Sequence, residues 1–208
     1  MRSTVDSYLR YLLSRAATLN LTAIKTLEEA RVRHGEDCAA LLGCAAFAGK
    51  RVLDVGSGAG LPGLIIKLIE PGALVTLLEA TSKKARFLLD CCRDLGIDGV
   101  EVVCARAEDY ARTPARESFD IVAARGVAAL PALCELCLPF ARVGGLFLAM
   151  KQSGEETAPF HLYGGARLDD YRYTITGGIS HTVIRAEKTS PCPEKYPRPW
   201  RAIRRGKP

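Results

Sequence analysis

Asp54-Val55-Gly56-Ser57-Gly58-Ala59-Gly60-Leu61-Pro62-Gly63 is the stretch that decides the fold. It follows a short apolar run, Arg51 to Val55, and leads into a helical one, Leu61 to Ile69. Glycines at such a junction let the backbone turn tightly and approach a ligand with no Cβ in the way. Pro62 suits the first helical turn, where its missing N–H costs nothing. A strand, a glycine turn and a helix in that order mark a nucleotide-type crevice at the carboxyl end of a sheet strand. Gly58 to Gly63 also satisfies the dinucleotide pattern G-x-G-x-x-G, a weak signal on its own.

Outward from this stretch, strand and helix patterns alternate. Ala73 to Leu78, Val100 to Cys104, Phe119 to Ala124 and Gly145 to Lys151 read as strands, and Ser82 to Leu95 and Leu130 to Phe140 as helices. The alternation implies βαβ units and a parallel sheet covered on both faces. Tyr171 to Ile175 and Thr182 to Ala186 are expected to close a seven-stranded, mostly parallel sheet with two antiparallel strands, after a loop over Gln152 to Arg167. Upstream, Val5, Leu9, Leu12, Leu13 and Ala16 recur at helical spacing, and a second helix is expected from Leu27 to Leu42 with Thr26 as its N-cap. The expected organisation is one α/β domain: N-terminal helices over 1–45, a core over 46–188 and a basic C-terminal tail over 189–208.

The chain has 208 residues, which suits one domain of ordinary size. With 48% apolar and 25% charged residues it is expected to build a real core. No uncharged run approaches the ~20 apolar residues a bilayer span needs. Arg10 and Arg15 interrupt the only candidate signal segment, so a cytoplasmic location is expected. The net charge of +6 resides entirely in residues 185–208, which hold eight basic and two acidic side chains. That asymmetry suggests a polyanionic partner, with a merely solvated end as the bland alternative. The eight cysteines read as reduced, mostly buried residues. Cys134 and Cys137 have C-x-x-C spacing but lack the second half of a zinc site, so no metal is expected.

Asp54, just before the glycines, is placed to meet a ligand's ammonium group or to hold the loop through backbone N–H groups; a pyrophosphate gains nothing from it. Glu79 ends the second strand at about the ~20-residue interval at which an acid meets ribose hydroxyls. Ala107-Glu108, after the third strand, falls where an adenine ring would lie, or is simply an acidic helix start.

Together with these, Asn20-Leu21-Thr22, Arg33-His34, Leu77 to Leu88 (LLEATSKKARFL), Phe119 to Arg125, Met150-Lys151 and Lys195-Tyr196-Pro197-Arg198 resemble, in order, the pattern of the bacterial 16S ribosomal RNA guanine-N7 methyltransferase family, RsmG or GidB. The resemblance implies a Rossmann-like fold and S-adenosylmethionine-dependent methylation of guanosine N7 in small-subunit rRNA. By position, Gly56, Gly58, Gly60 and Leu61 would form the cofactor loop, with Asp54 beneath it. Glu79 would face the ribose, and Ala107 and Glu108 would flank the adenine. Arg125 would sit near the reactive end, and Lys151 would position substrate with it. Arg33, His34, Lys151, Lys195, Arg198 and Arg201 would contact RNA, with Tyr196 and Trp200 offering stacking surfaces or packing onto the sheet. His161 and His181 read as structural or surface residues. Ala124, Gly126 and Gln152 depart from the family's usual Ser, Ala and Gly, around the guanine side rather than the cofactor loop.

Guanine N7 is a neutral nucleophile with an in-plane lone pair, so its methylation needs no general base, and no catalytic dyad is expected. Holding N7 in line with the methyl carbon supplies up to ~7–11 kcal/mol by positioning alone. The partners implied are 16S rRNA or the small subunit, with no membrane and a monomeric chain. Three other readings share parts of the pattern: a methyltransferase of another RNA or a small molecule, a nicotinamide-dependent oxidoreductase, and a catalytically idle RNA-binding module.

Overall fold

Val52, Leu53, Asp54 and Val55 are all buried, as a central strand covered on both faces requires. In the computed structural model, which describes residues 2–152 and 157–206, this strand, β1 (Arg51–Val55), lies mid-sheet. It pairs in parallel with β2 (Leu74–Glu79) on one side and β4 (Phe119–Arg125) on the other. With β3 (Val100–Cys104), β5 (Ala141–Lys151), β6 (Gly165–Ile175) and β7 (Ile179–Lys188), the order is β3-β2-β1-β4-β5-β7-β6. The chain moves outward one way from β1 through β2 and the other way from β4, so the carboxyl ends of β1 and β4 flank the switch point where open α/β sheets bind ligands.

β7 pairs antiparallel with both β5 and β6, as expected. The sequence undersizes β6, which begins at Gly165. Its first half carries Arg167, Asp169 and Asp170, and a register shift between Arg167 and Asp169 interrupts alternation. An edge strand with charge on it shows little apolar periodicity. β5 likewise begins early, at Ala141, across a register shift opposite Phe119 and Ile121.

Side chains alternate across β1, sending Val52 into one apolar cluster and Leu53 and Val55 into another. The first cluster lies under α1 (Arg2–Leu19), α4 (Gly63–Ile69) and α5 (Ser82–Leu95). The second lies under α6 (Ala107–Tyr110) and α7 (Leu130–Cys137). α5 shows how pattern becomes packing: Ala85, Phe87, Leu88 and Cys91 are buried, Cys92 is half-buried, and Gly96 ends the helix in the left-handed region at φ +62°. Thr26 caps α2 (Leu27–Ala30), its Oγ1 accepting the Glu29 N–H at 3.3 Å. The single helix expected there is segmented. α2 passes into a π-helical turn, Arg31–Glu36, then α3 (Asp37–Ala39) and a 3₁₀ turn, Ala40–Gly43. π turns are frequent at functional sites.

The basic tail expected after residue 188 is instead a packed strap. Cys192, Tyr196 and Ile203 are buried in the second cluster, and the strap ends in α8 (Trp200–Ile203). Arg112 donates to the carbonyls of Glu194 (2.6 Å) and Pro197 (2.8 Å), and Arg116 to those of Cys192 (2.7 Å) and Tyr196 (2.8 Å). Glu117 accepts the Cys192 N–H at 2.6 Å and pairs with the fully buried Lys188 at 2.9 Å. Lys207 and part of the loop expected over 152–167 lie outside the described residues. Among those described, no helix is long and apolar enough to cross a membrane, and no cluster of His, Cys, Asp and Glu could hold a metal.

Candidate active site

Two pockets open at the carboxyl ends of β1 and β4, on either side of one tripeptide. Val127 lines the first, and its neighbours Gly126 and Ala128 line the second.

The first pocket, about 210 Å³, lies against the glycine loop. The Gly56 and Ser57 N–H groups donate to Leu78 O at 2.8 and 3.1 Å, tying the loop to β2. Tyr8, buried in α1, donates its hydroxyl to Ala59 O at 2.8 Å and braces the loop from behind. Gly58 adopts φ +55°, where a side chain is strained, and its N–H donates to Glu79 Oε2 at 2.9 Å. Glu79 Oε1 accepts the Thr81 N–H at 2.7 Å, so this buried carboxylate orders both loops beside the pocket. Each carboxylate oxygen has a second lone pair for a ligand hydroxyl. Gly56, Ala107 and Glu108 line the same pocket.

Asp54 lies beneath the loop, fully buried. Its Oδ2 accepts the Gly63 N–H at 2.9 Å, a contact only glycine permits, since a Cβ at 63 would come within 2.9 Å of that oxygen and 2.4 Å of Leu77. Of the two roles read from sequence, holding the loop is therefore the one its geometry displays. Asp54 Oδ1 is buried with no hydrogen-bond partner among the described residues, and burial pushes the carboxyl up to about 7. An acceptor left open beneath a glycine cradle, together with a second acid at the end of β2, is a pair of acceptors that fits a nucleoside carrying a cationic amine.

The second pocket, about 650 Å³, lies within the size range of ligand sites. It gathers Arg33, His34, Arg125 and Lys151, four of the residues singled out in the sequence. The structure adds three that sequence reasoning missed: Asp37, Tyr173 and His181. Asp37 is the hub. Its Oδ1 accepts from Tyr173 Oη and from His181 Nδ1, both at 2.6 Å, and its Oδ2 accepts from Arg125 Nη1 at 2.8 Å. Burial alone would raise the Asp37 pKa, but these three donors hold it below the usual carboxylate value. Tyr173 is pushed well up, by burial first and then by its bond to Asp37.

Arg125 also donates to Arg33 O at 3.0 Å, and its Nη2 donates to His34 Nδ1 at 3.0 Å. His34 Nδ1 also lies 3.0 Å from Arg33 O, and its Nε2 shares a hydrogen bond with Thr22 Oγ1 at 2.9 Å, a role for the Asn20-Leu21-Thr22 motif. Burial, followed by the Arg125 charge, depresses His34 to about 4, so the imidazole is neutral near pH 7. The π turn places Arg33 and His34 beside Asp37 in this arrangement. Lys151 Nζ donates to Ala128 O at 3.2 Å.

The remaining expected RNA contacts lie elsewhere. Arg198 is ion-paired with Glu135 at 2.6 Å, where the carboxylate is 1% exposed, and its backbone N–H donates to the same group at 2.8 Å. Tyr196 is buried. Neither presents a free surface to RNA, because Arg198 holds the strap to α7 and Tyr196 packs edge-on against Tyr163. Lys195 and Arg201 are exposed. Trp200 lines the first pocket.

Sheet order, glycine loop, paired acid and twin pockets define a class: Rossmann-like methyltransferases that use S-adenosylmethionine. Solved structures agree on the fold. An MtNAS point mutant in complex with S-adenosylmethionine aligns with a TM-score of 0.64 at 15% identity, covering 91% of this chain and 76% of that one. TrmN from Thermus thermophilus aligns at 0.53 and 21% identity, over 73% and 48%. Closer relatives are found by sequence. Ribosomal RNA small subunit methyltransferase G of Symbiobacterium thermophilum is 44% identical over 195 residues, covering 86% of this chain and 79% of the relative. The Moorella thermoacetica protein of the same name is 38% identical over 203 residues, covering 93% and 85%. The GidB family model, rRNA small subunit methyltransferase G, matches residues 1–160, and the chain belongs to this family.

Proposed function

We propose that the chain methylates N7 of one guanosine in 16S rRNA, holding S-adenosylmethionine in the first pocket and the target base in the second. The observation that carries this reading is the shared tripeptide: Val127 faces one pocket while Gly126 and Ala128 face the other. Two ligands seated there meet across a single turn of backbone at the sheet's switch point.

Asp54, Gly56, Gly58, Glu79, Ala107 and Glu108 are the residues to hold the cofactor, with Gly60 and Leu61 completing the loop. Bound there, it supplies an electrophilic methyl group on a sulfonium. Asp54 Oδ1 would accept the cationic amine, and Glu79 would accept hydroxyls without releasing the loops. The second pocket offers positioning and no strong base. His34 is neutral with both ring nitrogens engaged, and Asp37 is held by three donors. N7 has no proton to lose, so such a pocket suffices for it. Arg125, anchored by Asp37, is a positioning residue whose charge is balanced inside the protein, so it orients a base without opposing the positive charge arriving on the purine. Arg33 and Lys151, at the pocket wall, suit the flanking phosphates. An RNA loop presents an unstacked base to such a pocket more cheaply than a duplex does.

The test is transfer of labelled methyl from S-adenosylmethionine to small subunits lacking the modification, with mapping of the labelled base. Label on a guanosine N7 is expected. Label on another base or atom, or on no RNA, would overturn the reading.

A further inference from the structure

The sequence contains one tryptophan, Trp200, and the structure carries it from the C-terminal strap to the wall of the first pocket, with Gly56, Ala107, Glu108 and Leu136 as neighbours. We infer that Trp200 forms part of the adenine site of S-adenosylmethionine, which makes the strap a component of the cofactor pocket. The inference rests on the reading of the first pocket as the cofactor site.

Three observations converge on it. The placement is specified: the backbone N–H of Trp200 donates to Glu108 Oε1 at 3.2 Å, so the residue flanking the pocket floor also fixes where the side chain begins. The strap leading to it is held by side chains from two parts of the fold, the segment before β4 and helix α7. Arg112 and Arg116 grip its carbonyls, Glu117 its N–H at Cys192, and Glu135 the Arg198 guanidinium. The indole is also only half-buried, although Tyr196 and Ile203 on either side of it are fully packed. A large aromatic surface carried so firmly to a pocket and left partly open there matches the π-face of a purine. Stacking on an aromatic side chain holds a base by its π-face whatever its identity.

Because Trp200 is the sole tryptophan, its emission reports on this pocket alone. Wild-type protein is titrated with S-adenosylhomocysteine by calorimetry and, in parallel, by fluorescence. The expected result is a change in emission that saturates with the calorimetric Kd. Trp200→Ala should weaken binding about tenfold, equivalent to ~1.4 kcal/mol, while Trp200→Phe recovers most of the loss and a change at the exposed Arg204, Arg204→Ala, stays within twofold. If Trp200→Ala fails to fold, the wild-type emission and the Phe variant decide. Calorimetric binding without an emission change, with Trp200→Phe and Trp200→Ala both at wild-type affinity, overturns the inference. Emission that responds to an RNA oligonucleotide and not to S-adenosylhomocysteine overturns it too, since the indole then faces RNA. Absence of any binding heat in the wild type overturns the prior reading of the pocket, and this inference with it.

Discussion

The two pockets differ in how the chain builds them. The polar cradle of the first comes from short stretches that are each nearly contiguous: ten residues of glycine loop, an acid at the end of the next strand and a pair after the third. Its polar contacts run largely through backbone N–H groups. The second is made by side chains meeting across the fold. Asp37 and His181 lie 144 positions apart, and Asp37 and Tyr173 lie 136 apart. A pocket of the first kind tolerates few changes in its loop and many elsewhere. One of the second kind depends on a single buried hub.

The sharpest way to break this contrast is Gly58→Asp. A carboxylate placed beside Glu79 at a left-handed backbone position should weaken S-adenosylhomocysteine binding on the order of a hundredfold or more, from several kcal/mol of uncompensated charge. The fold, and with it the second pocket, should melt within a few degrees of wild type. A Gly58→Asp protein that binds normally by calorimetry would show the loop is not the cofactor cradle.

Next in size is the hub. Asp37→Ala leaves Arg125 without its partner, and removing one member of a buried pair costs about 3–5 kcal/mol. Arg125 retains some exposure, which puts the loss near the lower end. Urea denaturation measures it, and cofactor binding to the folded fraction should change less than twofold. A large loss of cofactor affinity would mean the pockets are not separable.

The pockets should also titrate in opposite senses. His34 sits near 4 when folded and about 6.5 when unfolded, so between those values the unfolded chain binds more protons and stability falls as pH falls. The contribution amounts to ~3 kcal/mol at most. Asp54, raised to about 7, works the other way: from 7 down to the ordinary carboxylate value the folded chain holds the extra proton, and acid favours the native state. In urea titrations from pH 7 to 4.5, His34→Gln should therefore lose less stability on acidification than wild type, and Asp54→Asn more. Identical pH profiles for both variants and wild type would remove the contrast.

The smallest effect belongs to the strap's exposed charge. Arg201→Glu should leave cofactor binding within twofold and weaken RNA binding modestly, with a salt slope shallower by roughly one unit. Arg198→Glu should behave differently, destabilising the fold by breaking its pair with Glu135. If the two variants proved alike in melting temperature, Arg198 would not be the latch its geometry describes.

The same contrast explains what the sequence reveals. The parallel half of the sheet, the glycine loop and Glu79 are legible because contiguous residues make them and because glycine at fixed spacing has few other uses. Arg51 to Val55, Ser82 to Leu95 and Val100 to Cys104 are read with the boundaries observed. Arg33, His34, Arg125 and Lys151 are visible only through family resemblance, since nothing local announces that they meet. His181 is read as a surface or structural residue because its partner is remote and its strand carries no motif. The strap is misread as a tail for a related reason. Charge counted along a chain does not show which arginines face carboxylates, and Arg198 faces one that sits in the middle of an apolar helix.

The strap has a consequence for the order in which the protein becomes whole. Synthesis proceeds from the N-terminus, and domains begin to organise as they emerge. The glycine loop, its brace at Tyr8 and the parallel strands leave the ribosome well before Trp200 does. A nascent chain with all the elements of the first pocket except its last wall therefore precedes the finished enzyme. The pocket gains this wall only once the strap has been made and latched onto Glu135 and Glu108, so a chain stalled between β7 and α8 would hold the glycine cradle without it.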